Sequence, residues 1–396
     1  MIYLDNNATT QVAPDVFEAM RPFLTSHYGN PSSAHALGRE SRNAVEQARQ
    51  EVADLLGARD ANEIAFTSCG SESNNWAIGG FLEQNPDCRH IITTRVEHEA
   101  VRKLCEHLAE IGCEITWLEV DKQGALDLDD LRKALRRETG LVSIMLANNE
   151  TGVLFPIDEI GKIVRDHSDA VFHVDGVQAV GKIPIRLRDW HVDLFSISGH
   201  KFYAPKGIGA LYIREGVKLP PLIIGGGQER GRRSGTEPVP NIVALGRASK
   251  LAREFTGHQR IQKVRDRLEN TILNTISGTS LNGTNDPAGR LPNTANISFE
   301  GVLGPDLATA LDTEGIFVST GSACHSDSVD ASSVLTAMKI PKAKALGSIR
   351  FSVGRYTTET DIDRTLTILP DFVEKLRAQG RVAHAVRAAE FPSKTG

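Results

Sequence analysis

Between residues 39 and 213 the chain alternates short apolar runs with longer segments whose apolar residues recur at helical spacing. The runs Ile64–Thr67, His90–Thr94, Glu114–Leu118, 141–147, 171–174, Leu194–Ser198 and Gly209–Ile213 read as strands. Between them, Val45, Ala48, Val52 and Leu55 share one helical face, as do Leu128, Leu131 and Leu135. Strand and helix taking turns predict βαβ units, and so an α/β fold whose seven strands form a mostly parallel sheet with helices on both faces. Past residue 250 the pattern changes. A charged helix-period stretch at 259–276 precedes the strand-like segment 291–300, a further helix, the apolar run 348–355 and a closing helix. The expected organisation is a large α/β domain over 15–250 and a smaller α+β domain built from 1–14 and 251–396, with the polar last residues frayed.

Composition narrows the partners. With 40% hydrophobic and 24% charged residues, 396 positions suffice for a large buried core. The net charge of −5 is spread without long runs of one sign, which argues against nucleic acid or an anionic membrane surface as partner. The one basic cluster, Arg230, Arg232 and Arg233, lies in a glycine-rich stretch and reads as a solvated or ligand-facing loop. The opening MIYLDNNATT has no basic-then-apolar leader, and no run approaches the ~18 apolar residues of a membrane span. Five cysteines, an odd number with no CxxC pair, predict reduced thiols in the cytoplasm, without a disulfide framework or a metal site.

In an open parallel sheet, ligands sit beyond the carboxyl ends of the strands, so the segments following each strand belong together. After the first comes Ser68-Cys69-Gly70-Ser71-Glu72-Ser73-Asn74, where helix amides and hydroxyls can cradle a phosphate, or Ser71 or Ser73 can simply cap the helix. His98 follows another strand, as a helix cap or a ligand; Asn148 and Asn149 follow a third, as a turn or a substrate contact. Asp175 ends a buried strand, a costly place for a carboxylate unless hydrogen bonds or a cation satisfy it. Lys201 follows an apolar strand and a small-residue turn, where desolvation depresses its pKa and makes it a usable Schiff-base amine; Lys206 reads as a surface residue. Together these supply what pyridoxal phosphate needs: a phosphate site, a partner for the pyridine nitrogen and an amine.

Two further features lie late in the chain. Cys324 sits in the polar, small-residue stretch Gly321-Ser322-Ala323-Cys324-His325-Ser326, where His325 favours a thiolate; Cys88, Cys105 and Cys113 read as inert, and Cys69 is ambiguous. Arg350 lies inside an apolar strand and is expensive there without an anion, for which a substrate carboxylate is the obvious bidentate partner.

At these residues the sequence resembles the class V aminotransferase-like pyridoxal-phosphate enzymes, specifically cysteine desulfurases of the NifS/IscS type and selenocysteine lyases. The most specific pieces are Ser198-Gly199-His200-Lys201, the glycine- and arginine-rich 225–236, and Gly321-Ser322-Ala323-Cys324, with YLDNNATT at 3–10. The resemblance implies a fold-type I homodimer that converts L-cysteine or L-selenocysteine to L-alanine and passes the chalcogen on, with a possible acceptor protein. It implies that Lys201 carries the cofactor and moves the Cα proton, that Asp175 pairs with the pyridine nitrogen, and that His98 stacks on the ring. Gln178 would face the phenolic oxygen. Gly70, Ser71, Ser198 and His200 would hold the phosphate, with Thr236 reaching over from the second subunit. Asn149, Arg350 and His325 would meet the substrate, and Cys324 its sulfur or selenium. The run Ala323-Cys324-His325-Ser326-Asp327 is closer to selenocysteine lyases, whereas Thr67-Ser68-Cys69-Gly70-Ser71-Glu72-Ser73 is closer to nitrogen-fixation desulfurases. The alternatives are another pyridoxal-phosphate aminotransferase, a β-eliminating enzyme, or a non-catalytic sulfur-transfer scaffold.

Overall fold

A computed structural model of the chain describes residues 1–320 and 331–380. Its strands are β1 (Ile2–Tyr3), β2 (Ile64–Thr67), β3 (His90–Thr94), β4 (Glu114–Leu118), β5 (Thr139–Ser143), β6 (Val171–Asp175), β7 (Leu194–Ser198), β8 (Gly209–Ile213), β9 (Thr279–Leu281), β10 (Thr294–Phe299), β11 (Ile316–Phe317) and β12 (Ser348–Ser352). The seven apolar runs all join one sheet, in the order β2-β8-β7-β6-β5-β3-β4. Only β8 runs against its neighbours β2 and β7; the other pairings are parallel. The carboxyl ends of β2, β3, β5, β6 and β7 therefore open at one end of the sheet.

One strand differs from the sequence pattern. The run 141–147 is regular strand only as Thr139–Ser143. Beyond it the chain turns out of the sheet: Ala147 bridges to Leu154, although Ile144 and Leu146 still donate to the carbonyls of His173 and Asp175 at 3.1 and 2.9 Å. Apolarity there reflects burial, which a strand and a buried extension share: Ile144, Met145, Leu146 and Ala147 are all buried.

The largest core lies on one face of this sheet, where the helices Ala36–Leu56 and Val239–Glu254 pack against each other, and two smaller clusters around Ile91 and Leu211 cover the other face. Val45, Ala48 and Val52 are buried as their spacing predicts, with Leu56 completing the face and Leu55 only half-buried. The two helices touch at Gly246, where a Cβ would come within 2.5 Å of the Ala48 Cα, so no larger residue fits. A second core joins Ile2 and Leu4 to residues from Ile261 to Val373 around the antiparallel sheet β12-β10-β9. The N-terminal segment is stitched into it: Ser352 donates to the Leu4 carbonyl at 2.7 Å and Asn6 to the Ser352 carbonyl at 3.1 Å. This carries Asn7 and Ala8 to the seam between the two cores.

The loop that follows β8 is held by a buried ion pair. Arg49 meets Glu229 with two hydrogen bonds, at 2.8 and 2.9 Å, and Glu229 also accepts from the Phe66 amide at 2.9 Å. Removing one member of such a pair strands the other in low dielectric. Glu229→Ala is therefore expected to lower unfolding stability by ~3–5 kcal/mol, measured by chemical denaturation; a loss under ~1 kcal/mol would show the pair to be dispensable.

Candidate active site

A cavity of about 210 Å³ opens at the carboxyl ends of the parallel strands. It is lined by Cys69, Gly70 and Ser71 after β2, His98 after β3, Asn149 beyond β5, Asp175 and Gln178 at β6, and Ser198, His200 and Lys201 at β7. All of these but Cys69, nine residues, are ones to which the sequence assigns a site role, and they share one chamber.

One end of it suits an anion. The helix Gly70–Gln84 starts at Gly70, and its N-cap Cys69 makes no side-chain capping bond. The serine-cap alternative is thereby overturned. Ser73 is buried inside the first turn and bonded to Thr67 Oγ1 at 2.7 Å, while Ser71 faces the cavity. First-turn amides have no intrahelical acceptor, and the helix dipole adds positive potential there. A Cβ at Gly70 would lie 2.6 Å from Val177 Cγ2, so glycine keeps the backbone open to the cavity. Across from it the Ser198 hydroxyl is buried without a hydrogen-bond partner, a state that costs about 1–3 kcal/mol unless a ligand relieves it. His200 bonds Thr9 Oγ1 through Nδ1 at 3.1 Å; burial and then the Lys201 and Lys206 charges bring its pKa down to about 4, so the ring is neutral at physiological pH.

Asp175 occupies the middle. It is buried and accepts from Asn74 Nδ2 at 2.7 Å and from the Val177 amide at 3.0 Å, so each of its two oxygens has a donor. His98 caps the helix Glu99–Glu110: its Nδ1 accepts from the Ala100 amide at 3.1 Å, which leaves the other ring nitrogen to carry the hydrogen. Capping and cavity lining are one role, since the cap fixes the ring at the mouth. Beside it, Glu97 is fully buried and its pKa is pushed up to about 8, by burial first and by Asp175, against hydrogen bonds from Met145 and Thr94. Burial thus favours the uncharged form of Glu97 at neutral pH.

The same chamber holds the amine. Lys201 Nζ donates to the carbonyls of Asn7 and Ala8 at 2.7 and 2.8 Å. Its pKa falls from 10.5 to about 8, chiefly through burial and then the Arg350 charge, opposed by Asp175 and Asp5. Gln178 donates to the same Asn7 carbonyl at 2.9 Å and accepts from Lys182 at 2.8 Å. Arg350 stands just behind the cavity. In place of a free fork awaiting an anion, it pairs with Asp5 at 2.7 Å and donates to the Asn149 carbonyl at 2.9 Å, while its Nε has no partner. A buried guanidinium inside a strand needs an internal anion whatever else it binds, and Asp5 is that anion. The Asn149 side-chain oxygen is buried and unpartnered.

Thr236 does not line this cavity; it is exposed on the loop after β8. Cys324 and His325 lie outside the described residues. Of the remaining thiols, Cys105 is buried and its pKa pushed up to about 12, chiefly by burial, which makes it unreactive as expected; Cys69 lies at the cavity wall. Four contributors had been given no role from the sequence: Asn7, Ala8, Asn74 and Lys182. Two act through backbone carbonyls, which no side-chain pattern reveals. Asn74, one helical turn after Gly70 and so on the same face, was the legible one.

Comparison with known proteins decides the family. The model of the aminotransferase class-V family matches residues 2–365. The chain belongs to the class-V aminotransferase family. A cysteine desulfurase from Nostoc sp. is 53% identical over 380 residues, covering 96% of this chain and 94% of the relative. The cysteine desulfurase NifS of Azotobacter vinelandii is 47% identical over 378 residues, covering 95% and 93%. Among solved structures, a NifS-like protein superposes with a TM-score of 0.86 at 40% identity, covering 95% of this chain and 98% of that one. Class-V aminotransferases and cysteine desulfurases use pyridoxal phosphate, which is the cofactor here. The cavity fits it: an uncapped helix terminus with an unpartnered hydroxyl for the phosphate, a buried carboxylate and a desolvated amine are present together.

Burial and the Arg350 charge make a testable statement about Lys201. In the cofactor-free protein, acylation of Lys201 followed by mass spectrometry should rise with pH around a midpoint near 8, and Arg350→Met should move it upward by removing a repulsive charge. A midpoint at the ordinary 10.5 in the unsubstituted protein would contradict the burial argument.

Proposed function

We propose that this class-V enzyme is a cysteine desulfurase: it takes the sulfur from L-cysteine, releases L-alanine and holds the sulfur on Cys324 as a persulfide. The observation that carries the proposal is the one chamber lined by both the Lys201 amine and the Asp175 carboxylate, together with Gly70 and Ser71 after β2 and Ser198 at the end of β7. Pyridoxal phosphate, when bound, supplies the electron sink for cleavage at the substrate's β carbon.

The chain's residues divide the remaining work. The amides of Gly70 and Ser71, with Ser198 and His200, would hold the phosphate. Asp175, fixed by Asn74, would hold a proton at the pyridine nitrogen. His98 would cover the ring. Lys201, with a pKa near 8, has a substantial neutral fraction at physiological pH, so it can both carry the cofactor and accept the proton from the substrate's Cα. Arg350 and Asn149 would orient the substrate carboxylate, Arg350 with its Asp5 pair retained. Cys324 attacks the substrate sulfur; the carbon–sulfur bond breaks, a sulfur–sulfur bond forms, and a proton returns to the β carbon to give alanine.

The stretch carrying Cys324 is flanked by anchors near this site. Before it, Ser319 pairs with Arg350 through two backbone hydrogen bonds at 2.7 and 3.2 Å; after it, Ser332 donates to the buried Glu150 at 2.5 Å, beside Asn149. A homodimer completing the phosphate site with Thr236 is supported by that residue's exposure on a loop that does not line its own cavity and that also carries the highly exposed Ile224. The persulfide then passes to an acceptor, and the work belongs to the cytoplasm, as the thiol pattern suggests.

The test is product analysis. L-Cysteine should yield alanine and protein-bound persulfide; Cys324→Ser should abolish the persulfide, and Lys201→Ala should lower turnover by about 10²-fold or more. Full alanine and persulfide formation by Cys324→Ser would overturn the role of Cys324. A protein that ignores L-cysteine but turns over L-selenocysteine would replace the desulfurase reading with the lyase reading suggested by His325 and Asp327.

A further inference from the structure

Lys182 stands at this site without a use in the reaction described above. It follows Gly181, whose φ of 76° and whose packing on Phe202 fix the turn beyond Gln178. Its Nζ donates to Gln178 Oε1 at 2.8 Å and to Asn7 Oδ1 at 3.0 Å. The second of these acceptors is itself fixed, because Asn7 Oδ1 also takes a hydrogen from Asn293 Nδ2 at 2.9 Å. Burial, and then repulsion from Lys201 and Arg350, hold the Lys182 pKa well below the ordinary lysine value. Such a place is poor for a cation and good for a hydrogen-bond donor.

An amine still has two N–H groups after losing its proton, so Lys182 donates to both acceptors in either charge state. The atom of Gln178 that faces it must then be the carbonyl oxygen. That turns Nε2 the other way, where one hydrogen goes to the Asn7 carbonyl at 2.9 Å and the second remains for the cavity that Gln178 lines. The Asn7 carbonyl alone would hold this orientation weakly, since it also receives the Lys201 amine at 2.7 Å.

We propose that Lys182 is a positioning residue: it locks the Gln178 amide so that only its N–H face meets the cofactor, making Gln178 an obligate donor to the phenolic oxygen. The inference rests on the assignment of Gln178 to that oxygen. It names a residue that touches neither cofactor nor substrate yet fixes the polarity of one that does.

A double-mutant cycle on the holoenzyme tests it, with cofactor affinity read from the absorbance retained on dilution and folding checked by circular dichroism. Lys182→Met should weaken cofactor affinity about tenfold, but change it less than about twofold in a Gln178→Ala background, where no amide is left to orient. Equal losses in both backgrounds, or no loss in the first, overturn the proposal while leaving the desulfurase reading intact. If Gln178→Ala itself costs no affinity, the assignment of Gln178 fails and the proposal with it. Should Lys182→Met not fold, Gln178→Glu carries the test. It keeps the acceptor for Lys182 but has no N–H, so about a tenfold loss supports the donor requirement and unchanged affinity overturns it.

Discussion

Everything at the site follows from one half-buried amine. Lys201 is withdrawn from water, repelled by Arg350 and held on the carbonyls of Asn7 and Ala8, and its pKa drops to about 8 as a result. A lysine in water is almost wholly protonated at pH 7 and has no lone pair to offer. Desolvation changes that, at the cost of placing a potential cation in the interior. Neutral carbonyls suit this state: they accept hydrogens from the amine without fixing its charge, as a carboxylate contact would. Asp175 is near enough to oppose the shift, yet its own hydrogen bonds go to Asn74 and Val177.

The fold makes this arrangement possible by bringing the first residues of the chain to the middle of the molecule. Leu4 and Asn6 are sewn to Ser352, and Asn7 is buried in contacts with Thr294, Asn293, Gln178 and both lysines. A single asparagine thereby links the two cores to the reactive amine. Its carbonyl serves Lys201 and Gln178, and its side chain serves Lys182. Stability of the seam and geometry of the site are one property here, because loosening either moves the other.

Much of this was legible in the sequence. Strand runs bounded by turn residues located the sheet, and the rule that ligands gather beyond strand carboxyl ends drew Gly70, His98, Asn149, Asp175 and Lys201 together before any coordinates. Misjudged features share a physical cause. The run 141–147 was too long because apolar residues mark burial, and burial continues where the strand stops. Arg350 was read as needing an external anion because Asp5 is 345 residues away in the chain. Asn7 and Ala8 were invisible because their contribution is a backbone oxygen, which every residue carries. Lys182 lies outside every motif the sequence singles out, and the close approach of Gly181 to Phe202 shapes the turn that carries it.

The most direct measurement is to fix the cofactor to its lysine by borohydride reduction of the holoenzyme and map the modified peptide by mass spectrometry. Two amines compete, since Lys182 and Lys201 both donate to Asn7. The label is predicted on Lys201 alone. Recovery of the label on Lys182, or on any other lysine, would contradict the assignment of Lys201.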